Sequence, residues 1–214
     1  MGYNLSSELN LEEYGLEHSQ LVPASESEVG QTQSRTGQSS SLFREIVETL
    51  LLTVVIFVLV NTLTGRFRID GSSMEPTLHD GGYVIVNRIV YRLQAPQRGD
   101  IVVFRRDGNR EFIKRVIGLP GETVEVRGGH VYINGAALQE SYIAQPSVYS
   151  MEPRKIAAGE YFVLGDNRNN SSDSHNWGTV ALAAIDGKAW VTYWPPKDWG
   201  VVPHYYGYAE VKAN

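Results

Sequence analysis

The chain has 214 residues, a formal net charge of −5 and 42% hydrophobic residues, which suits one globular domain with an additional segment rather than two full domains. The 19 lysines and arginines are scattered and form no basic stripe, so nucleic acid is not expected as a partner. The absence of cysteine excludes disulfides and thiolate chemistry, and the five histidines are widely separated, so we expect neither a metal nor another cofactor.

The N-terminal segment, residues 1–42, is rich in Ser, Gln, Glu and Gly and has few large apolar side chains. It follows neither a helical nor a strand period. Such a segment buries too little apolar surface to offset the entropy cost of ordering it. The sequence therefore predicts a disordered tail over residues 1–42.

The next segment contains the run IVETLLLTVVIFVLVNTL, which is apolar on every side except for one glutamate and one asparagine. As an α-helix this run spans roughly 27 Å, close to the ~30 Å hydrocarbon core of a bilayer. We predict a single transmembrane helix over residues 43–64. A buried core helix and a cleaved signal peptide are the alternatives. Arginines lie on both sides of the run, so charge leaves the orientation open.

From residue 65 onward, short β-like runs alternate with turn residues. The runs are rich in β-branched and aromatic residues, as in YVIVNRIVY, DIVVF, EFIKRVI, TVEV and HVYI, and Gly or Pro separates many of them. Asn134-Gly135 is a hairpin signal, so TVEV, HVYI and the residues that follow are predicted to form a meander. The expected fold class is mostly β, with a single β-rich catalytic domain over residues 65–214 behind the transmembrane helix.

The first candidate site is the loop GSSMEPTL, which follows the first β-like run. A serine in a loop usually caps or solvates a turn. Three neighbours favour Ser73 as a nucleophile. Gly71 permits close backbone approach, Pro76 fixes the following turn, and Met74 offers a flexible apolar surface to an incoming chain.

A serine nucleophile needs a base, and no histidine stands at an evident position for this role. In the run EFIKRVI, strand alternation places Lys114 on the same face as Phe112 and Val116, with Arg115 on the opposite face. An amine among apolar groups loses hydration of its charged form, so its pKa falls and the neutral form becomes available near neutral pH. Lys114 is therefore the candidate base. A half-buried lysine that snorkels to solvent is the alternative.

The third candidate is the loop GDNRNNSSDSHNWG, which follows the strand-like run YFVL. Carboxylates, amides and hydroxyls are more frequent in this loop than a simple connection between two strands requires. Groups of this kind are suited to accept hydrogen bonds from a buried lysine. The loop is therefore predicted to support Lys114.

The motifs SSMEPTL, RGDIVVF, FIKRVIGLPGE and GDNRNNSSDS, in this order after a membrane span, resemble the signature boxes of bacterial type I signal peptidases, which are serine proteases with a Ser/Lys dyad. The resemblance covers nearly the whole chain beyond the tail. It implies Ser73 as the acylated nucleophile and Lys114 as the general base. It also implies that Ser171 hydrogen bonds Lys114, while Asp166 and Asp173 organise the polar loop.

The resemblance further implies a membrane-bound endopeptidase that removes signal peptides from secretory preproteins. The implied partners are those preproteins and the lipid bilayer, and the implied position of the catalytic domain is the extracytoplasmic or lumenal side of the membrane. Two other functions are considered. A self-cleaving Ser/Lys regulator would carry a helix-turn-helix domain and no membrane span, whereas a non-catalytic membrane-anchored β binding domain would need no lysine on an apolar face.

Two positions depart from the family pattern. Gly71 stands where many members carry a serine that helps to bind the oxyanion, so that role would fall to the N–H of Ser73, with the side chain of Ser72 pointing elsewhere. His175 stands where relatives often carry an arginine paired with the loop aspartate. We expect a contact between Asp173 and His175 to replace that pair.

Overall fold

The computed structural model describes residues 36–108 and 110–205 and confirms the predicted fold class, a mostly β protein behind one long apolar helix. The elements in chain order are α1 (Thr36–Leu63), β1 (Thr64–Arg68), β2 (Tyr83–Asn87), α2 (Val90–Leu93), β3 (Ile101–Arg106), β4 (Arg110–Gly118), β5 (Thr123–Arg127), β6 (His130–Ile133), β7 (Ala136–Ala137), β8 (Met151–Lys155), β9 (Glu160–Leu164), α3 (Ser174–Trp177), β10 (Val180–Ala181), β11 (Ile185–Trp194) and β12 (Gly200–Val201).

Helix α1 contains a segment, Ser41–Leu63, that is long and apolar enough to cross a membrane, and its most apolar part is not buried against the rest of the described chain. The polar side chains of Thr53, Asn61 and Thr62 each donate a hydrogen bond to the carbonyl four residues earlier. This local bonding satisfies polar groups where lipid offers no partner. The helix is therefore suited to a hydrocarbon environment on all its sides.

Helix α1 begins at Thr36, so residues 36–42 are helical and not part of a disordered tail. The remainder of that predicted tail, residues 1–35, lies outside the described residues. The early start has a simple reason. Adding a residue to an existing helix costs far less than nucleating one, so a helix formed by the apolar run extends into the polar residues before it.

Eight strands form one sheet in the order β1-β2-β11-β3-β4-β9-β10, with β12 paired to β11. Four shorter strands form a second sheet in the order β7-β6-β5-β8. The second sheet contains the predicted meander, since β5 pairs with β6 and β6 with β7. All of these pairs are antiparallel.

Strand β4 contributes to three separate groups of buried apolar side chains. Ile113 belongs to the first group, Ile117 to the second and Val116 to the third. Side chains on β4 are therefore packed on both faces of the strand, where close packing restricts their conformations. A polar side chain on this strand is held in place by its apolar neighbours.

The segment after β12 is fixed to the large sheet by His204. Its Nδ1 accepts a hydrogen bond from the Ile101 N–H at 3.2 Å, and its Nε2 donates to the Ala189 carbonyl at 2.9 Å. This pair of bonds requires a neutral ring with its proton on Nε2. Burial, and to a smaller extent the charge of Lys188, lowers the pKa of His204 to about 4.

We expect His204 to make the folded state less stable as the pH falls from about 6.5 to about 4. In this window the unfolded chain binds a proton that the buried ring does not, so protonation favours unfolding. Between pH 7 and pH 4.5, chemical unfolding in detergent should show that wild type loses roughly 2 kcal/mol more stability than His204→Gln, after allowance for the partial exposure of the ring. The control His130→Gln, at an exposed position, should lose as much stability between pH 7 and pH 4.5 as wild type does. Equal losses in wild type and His204→Gln would contradict this assignment.

Candidate active site

Ser73 lies in the loop that joins β1 to β2, and hydrogen bonds hold this loop at two places. At its base, the Ile69 N–H donates to the Gly82 carbonyl at 2.8 Å. Nearer its tip, the Gly71 N–H donates to a carboxylate oxygen of Asp80 at 2.7 Å. The backbone that carries Ser73 is thus fixed by its own loop before any other element contacts it.

Gly71 and Met74 serve this loop in ways that differ from the predictions. A Cβ built on Gly71 meets nothing within 4 Å, so the glycine is needed for its φ of +85° and not for close backbone approach. Met74 is fully buried in the first apolar group and offers no surface to an incoming chain. The reason is a helical turn, closed by the Leu78 N–H to the Met74 carbonyl at 2.9 Å, which turns both side chains inward. Met74 anchors the loop beside Ser73.

The side chains of Ser73 and Lys114 meet, although they lie 41 residues apart in sequence. Lys114 Nζ is 2.7 Å from Ser73 Oγ and donates to the Ile113 carbonyl at 2.9 Å. Strands β1 and β4 are separated by three other strands in the sheet, so the sheet curls to bring the two side chains together. Lys114 is only 4% exposed.

Burial lowers the pKa of Lys114 from 10.5 to about 8, against the opposing charges of Asp173 and Asp166. The cause is the loss of hydration of the ammonium form. Near pH 8 a large share of the amine is neutral and can take a proton from a hydroxyl at hydrogen-bond distance. The pair therefore has the geometry and the protonation state that an activated serine needs.

The polar loop after β9 holds the backbone of Ser72 and Ser73. The Asn167 N–H donates to the Ser73 carbonyl at 3.0 Å, and the Asn167 side-chain amide donates to the Ser72 carbonyl at 3.2 Å. The Asn170 amide donates to Ser72 Oγ at 2.7 Å, so the Ser72 hydroxyl is engaged by this loop. Neither asparagine is predicted from the sequence, because an amide in an Asn-rich loop follows no period that would reveal its partner.

Gly165 permits the close approach of the polar loop to the Ser73 loop. A Cβ at this position would lie 2.5 Å from the Ser73 carbonyl oxygen and would overlap Ser171 Oγ. Real Cβ atoms do not come this close to other heavy atoms, so any other residue would force the two loops apart. This role is not predicted from the sequence either, since a glycine after a strand is more often a turn residue.

Ser171 does not form the predicted hydrogen bond with Lys114. Its Oγ is buried, has no partner among the described residues and lies against Gly165. The hydrogen bonds of Lys114 connect it instead to Ser73 and to the Ile113 carbonyl. The physical reason is that the path of the polar loop is fixed by its backbone contacts with Ser72 and Ser73, which place the hydroxyl beside Gly165.

Asp166 connects three parts of the site. It accepts two hydrogen bonds from the Arg115 guanidinium, at 2.8 and 2.6 Å, and one from the Thr77 hydroxyl at 2.5 Å. The side chains of Arg115 and Asp166 have no solvent exposure. Because Thr77 belongs to the Ser73 loop and Arg115 to β4, this carboxylate joins the polar loop to both.

Asp173 holds the other end of the polar loop. Its Oδ2 accepts the Gly165 N–H at 2.9 Å, and its Oδ1 lies 2.6 Å from His175 Nδ1, so the expected contact between Asp173 and His175 is present. The ring of Tyr149 stacks on His175 with a centroid separation of 3.9 Å. These contacts place a buried carboxylate near Lys114, where it raises the pKa of the amine against the effect of burial.

An open cleft of about 700 Å³ begins at Ser73 and Lys114 and is bordered by β1 and β4. Strand β1 is an outer strand of its sheet, and residues Arg110–Lys114 of β4 pair with β3 alone, because β9 pairs with β4 only from Arg115 onward. Both borders therefore have unpaired backbone groups that can bind an extended chain.

Within the described part of the chain, no cluster of three or more His, Asp or Glu residues is arranged to hold a metal ion.

Comparisons with known proteins agree on one family. A family model described as "Signal peptidase, peptidase S26" matches residues 42–194. A probable signal peptidase I-2 of Synechocystis sp. is 45% identical over 71% of this chain and 73% of its own length. A signal peptidase I of Leptolyngbya laminosa is 45% identical over 74% of this chain and 83% of its own length. A signal peptidase I of known structure from Enterococcus faecalis is 37% identical and covers 44% of this chain and 97% of its own, with a TM-score of 0.41.

Proposed function

The chain belongs to the signal peptidase family of S26 peptidases, and we propose that it removes signal peptides from preproteins with Ser73 as nucleophile and Lys114 as general base. The class of reaction, serine endopeptidase cleavage of signal peptides, follows from the family. The roles of the two residues rest on one observation, the separation of 2.7 Å between a buried amine and a serine hydroxyl.

The reaction begins when the neutral amine of Lys114 takes the proton of the Ser73 hydroxyl as Oγ attacks the scissile carbonyl. The ammonium then gives this proton to the leaving amine as the peptide bond breaks, and an acyl-enzyme remains on Ser73. Water loses a proton to Lys114 and attacks the ester, which releases the signal peptide and returns the proton to Ser73. The N–H of Ser73 is the donor we assign to the developing oxyanion.

The substrate is proposed to bind as an extended strand in the cleft between β1 and β4. The free backbone edges of these strands support this assignment, since they supply hydrogen bonds that do not depend on the sequence of the substrate. Phe67 and Ile113 line the same cleft and offer apolar contact near Ser73. Specificity for small residues such as alanine before the cut is implied by the family.

Membrane anchoring is supported by α1, which is the one helix of the described chain long and apolar enough to span a bilayer. We propose that the β domain lies on the extracytoplasmic or lumenal side, where signal peptides emerge from the membrane. The same helix argues against a soluble, self-cleaving regulator. The hydrogen bond between a buried lysine and Ser73 argues against a non-catalytic binding domain.

The function is tested by cleavage of a purified preprotein in lipid vesicles. We expect one cut after an Ala-x-Ala sequence, and roughly 100-fold slower cleavage when both alanines are replaced by leucine, because shallow pockets reject the larger side chains. Mass spectrometry of both products gives the position of the cut. A matched preprotein with leucine at two positions after the cut is the control and should be cleaved like the original. Absence of cleavage by folded enzyme, or equal rates for all substrates, would contradict the proposal.

A further inference from the structure

A small pocket rich in arginine lies on the face formed by α2 and the start of β11, and it shares Arg105 with the cleft. It encloses about 330 Å³, and its charged lining consists of Arg88, Arg92, Arg105 and Asp186. Arg105 Nε lies 3.0 Å from Asp186 Oδ2, so these two charges compensate each other. Arg88 and Arg92 form no ion pair with another described residue. The pocket therefore carries two uncompensated positive charges.

Arg88 is held at the level where the membrane-spanning segment ends. Its N–H donates at 3.1 Å to the carbonyl of Leu63, the last residue of that segment. Its side chain crosses Gly65, where an added Cβ would come within 2.9 Å of Arg88 Nε. The end of a spanning helix marks the border of the hydrocarbon core, and the phosphates of the lipid headgroups form the next layer. Arg88 is thus positioned beside that layer.

The short helix α2 adds an apolar group beside these charges. Asn87 Oδ1 accepts the N–H groups of Ile89 and Val90, at 3.0 and 3.1 Å, and so starts the turn that leads into α2. At its end, Leu93 is 82% exposed. A strongly exposed leucine beside two unpaired arginines is unfavourable in water but suits a surface that meets both headgroups and acyl chains.

We propose that this pocket binds the phosphate group of an anionic lipid from the membrane that α1 spans, with Arg88 and Arg92 as its ligands and Leu93 in contact with the acyl chains. Guanidinium groups bind phosphate oxygens through two parallel hydrogen bonds. An anionic headgroup also adds a net negative charge, which a zwitterionic headgroup lacks. Bound lipid would hold the junction of α1, β1 and β2 against the headgroup layer.

The test uses the full chain in detergent micelles, titrated with phosphatidylglycerol or with phosphatidylcholine of the same acyl chains. Native mass spectrometry counts the lipids that remain bound. Wild type should bind phosphatidylglycerol roughly tenfold more tightly than phosphatidylcholine, and the double variant Arg88→Gln/Arg92→Gln should lose this preference. The control Arg127→Gln/Lys155→Gln removes the same charge from exposed positions on the second sheet and should keep it.

Three results would overturn the proposal. These are equal affinity of wild type for the two lipids, an equal loss of preference in the control variant, and displacement of phosphatidylglycerol by millimolar glycerol 3-phosphate, which would identify a soluble phosphate compound as the ligand. If the glutamine variant does not fold, Arg88→Lys/Arg92→Lys replaces it. That variant keeps the charge without the bidentate geometry, and it should show a reduced preference. Lipid binding is measured without cleavage, so the outcome is independent of the proposed function.

Discussion

Replacing Lys114 by methionine is expected to lower kcat for preprotein cleavage by about 10⁴-fold or more, to the level of Ser73→Ala. Without the amine, no other group within hydrogen-bond distance of Ser73 Oγ in the described structure can take its proton. Single-turnover cleavage of a preprotein measures the loss. The matched controls are Lys155→Met, at an exposed position on β8, and Ser72→Ala beside the nucleophile, both of which should retain activity within about tenfold.

The pH dependence separates a base from a merely structural lysine. Because burial lowers the pKa of Lys114 to about 8, kcat/KM should rise with pH and level off above pH 8 as the neutral amine becomes the main form. The Lys114→Met variant should also be more stable than wild type at pH 7, since its fold no longer buries a charged ammonium. A Lys114→Met enzyme with more than 1% of wild-type activity would show that another base serves Ser73.

Replacing Asp166 by asparagine is expected to destabilise the folded state by about 3–5 kcal/mol, because it removes the carboxylate charge that accepts two hydrogen bonds from the buried guanidinium of Arg115. Chemical unfolding in detergent gives the free energy. The partly exposed pair of Arg127 and Glu125 supplies the control, and Glu125→Gln should cost no more than about 1 kcal/mol.

The same variant also tests the electrostatic link between Asp166 and Lys114. The carboxylate raises the pKa of Lys114 against the effect of burial, so its loss should move the rising limb of the activity profile to lower pH. Any folded fraction of Asp166→Asn suffices for this measurement. A destabilisation below about 1 kcal/mol would contradict the importance of the buried pair, and an unmoved pH profile would contradict the link.

The features that sequence periodicity predicted well are those that depend on one element at a time. The apolar run predicted a helix suited to a membrane, and the alternation in EFIKRVI predicted an apolar environment for Lys114, which is 4% exposed. The hairpin signal at Asn134-Gly135 predicted the meander of β5, β6 and β7. Each of these patterns reflects burial along one face, which a regular period records directly.

The features that sequence missed depend on the paths of loops through space. Nothing in the order of residues shows that Met74 turns into the core or that Ser171 lies against Gly165 instead of bonding Lys114. The contacts of Asn167 with the Ser72 and Ser73 carbonyls join segments more than ninety residues apart. Irregular backbone has no period, so its hydrogen-bond partners can be identified only from the folded structure, in which the sheet brings both loops together.

The direct passage from α1 to β1 limits how far Ser73, the proposed nucleophile, would stand from a bilayer spanned by α1. Helix α1 ends at Leu63 and β1 begins at Thr64, so no flexible tether separates the anchor from the catalytic domain. From Thr64 to Ser73 the chain advances nine residues, which reach at most about 30 Å even when fully extended. A peptide bond held higher above the membrane is out of range whatever its sequence. We therefore expect the proposed anchor to select substrates by the height of the scissile bond above the membrane, before any side chain of the substrate enters the cleft.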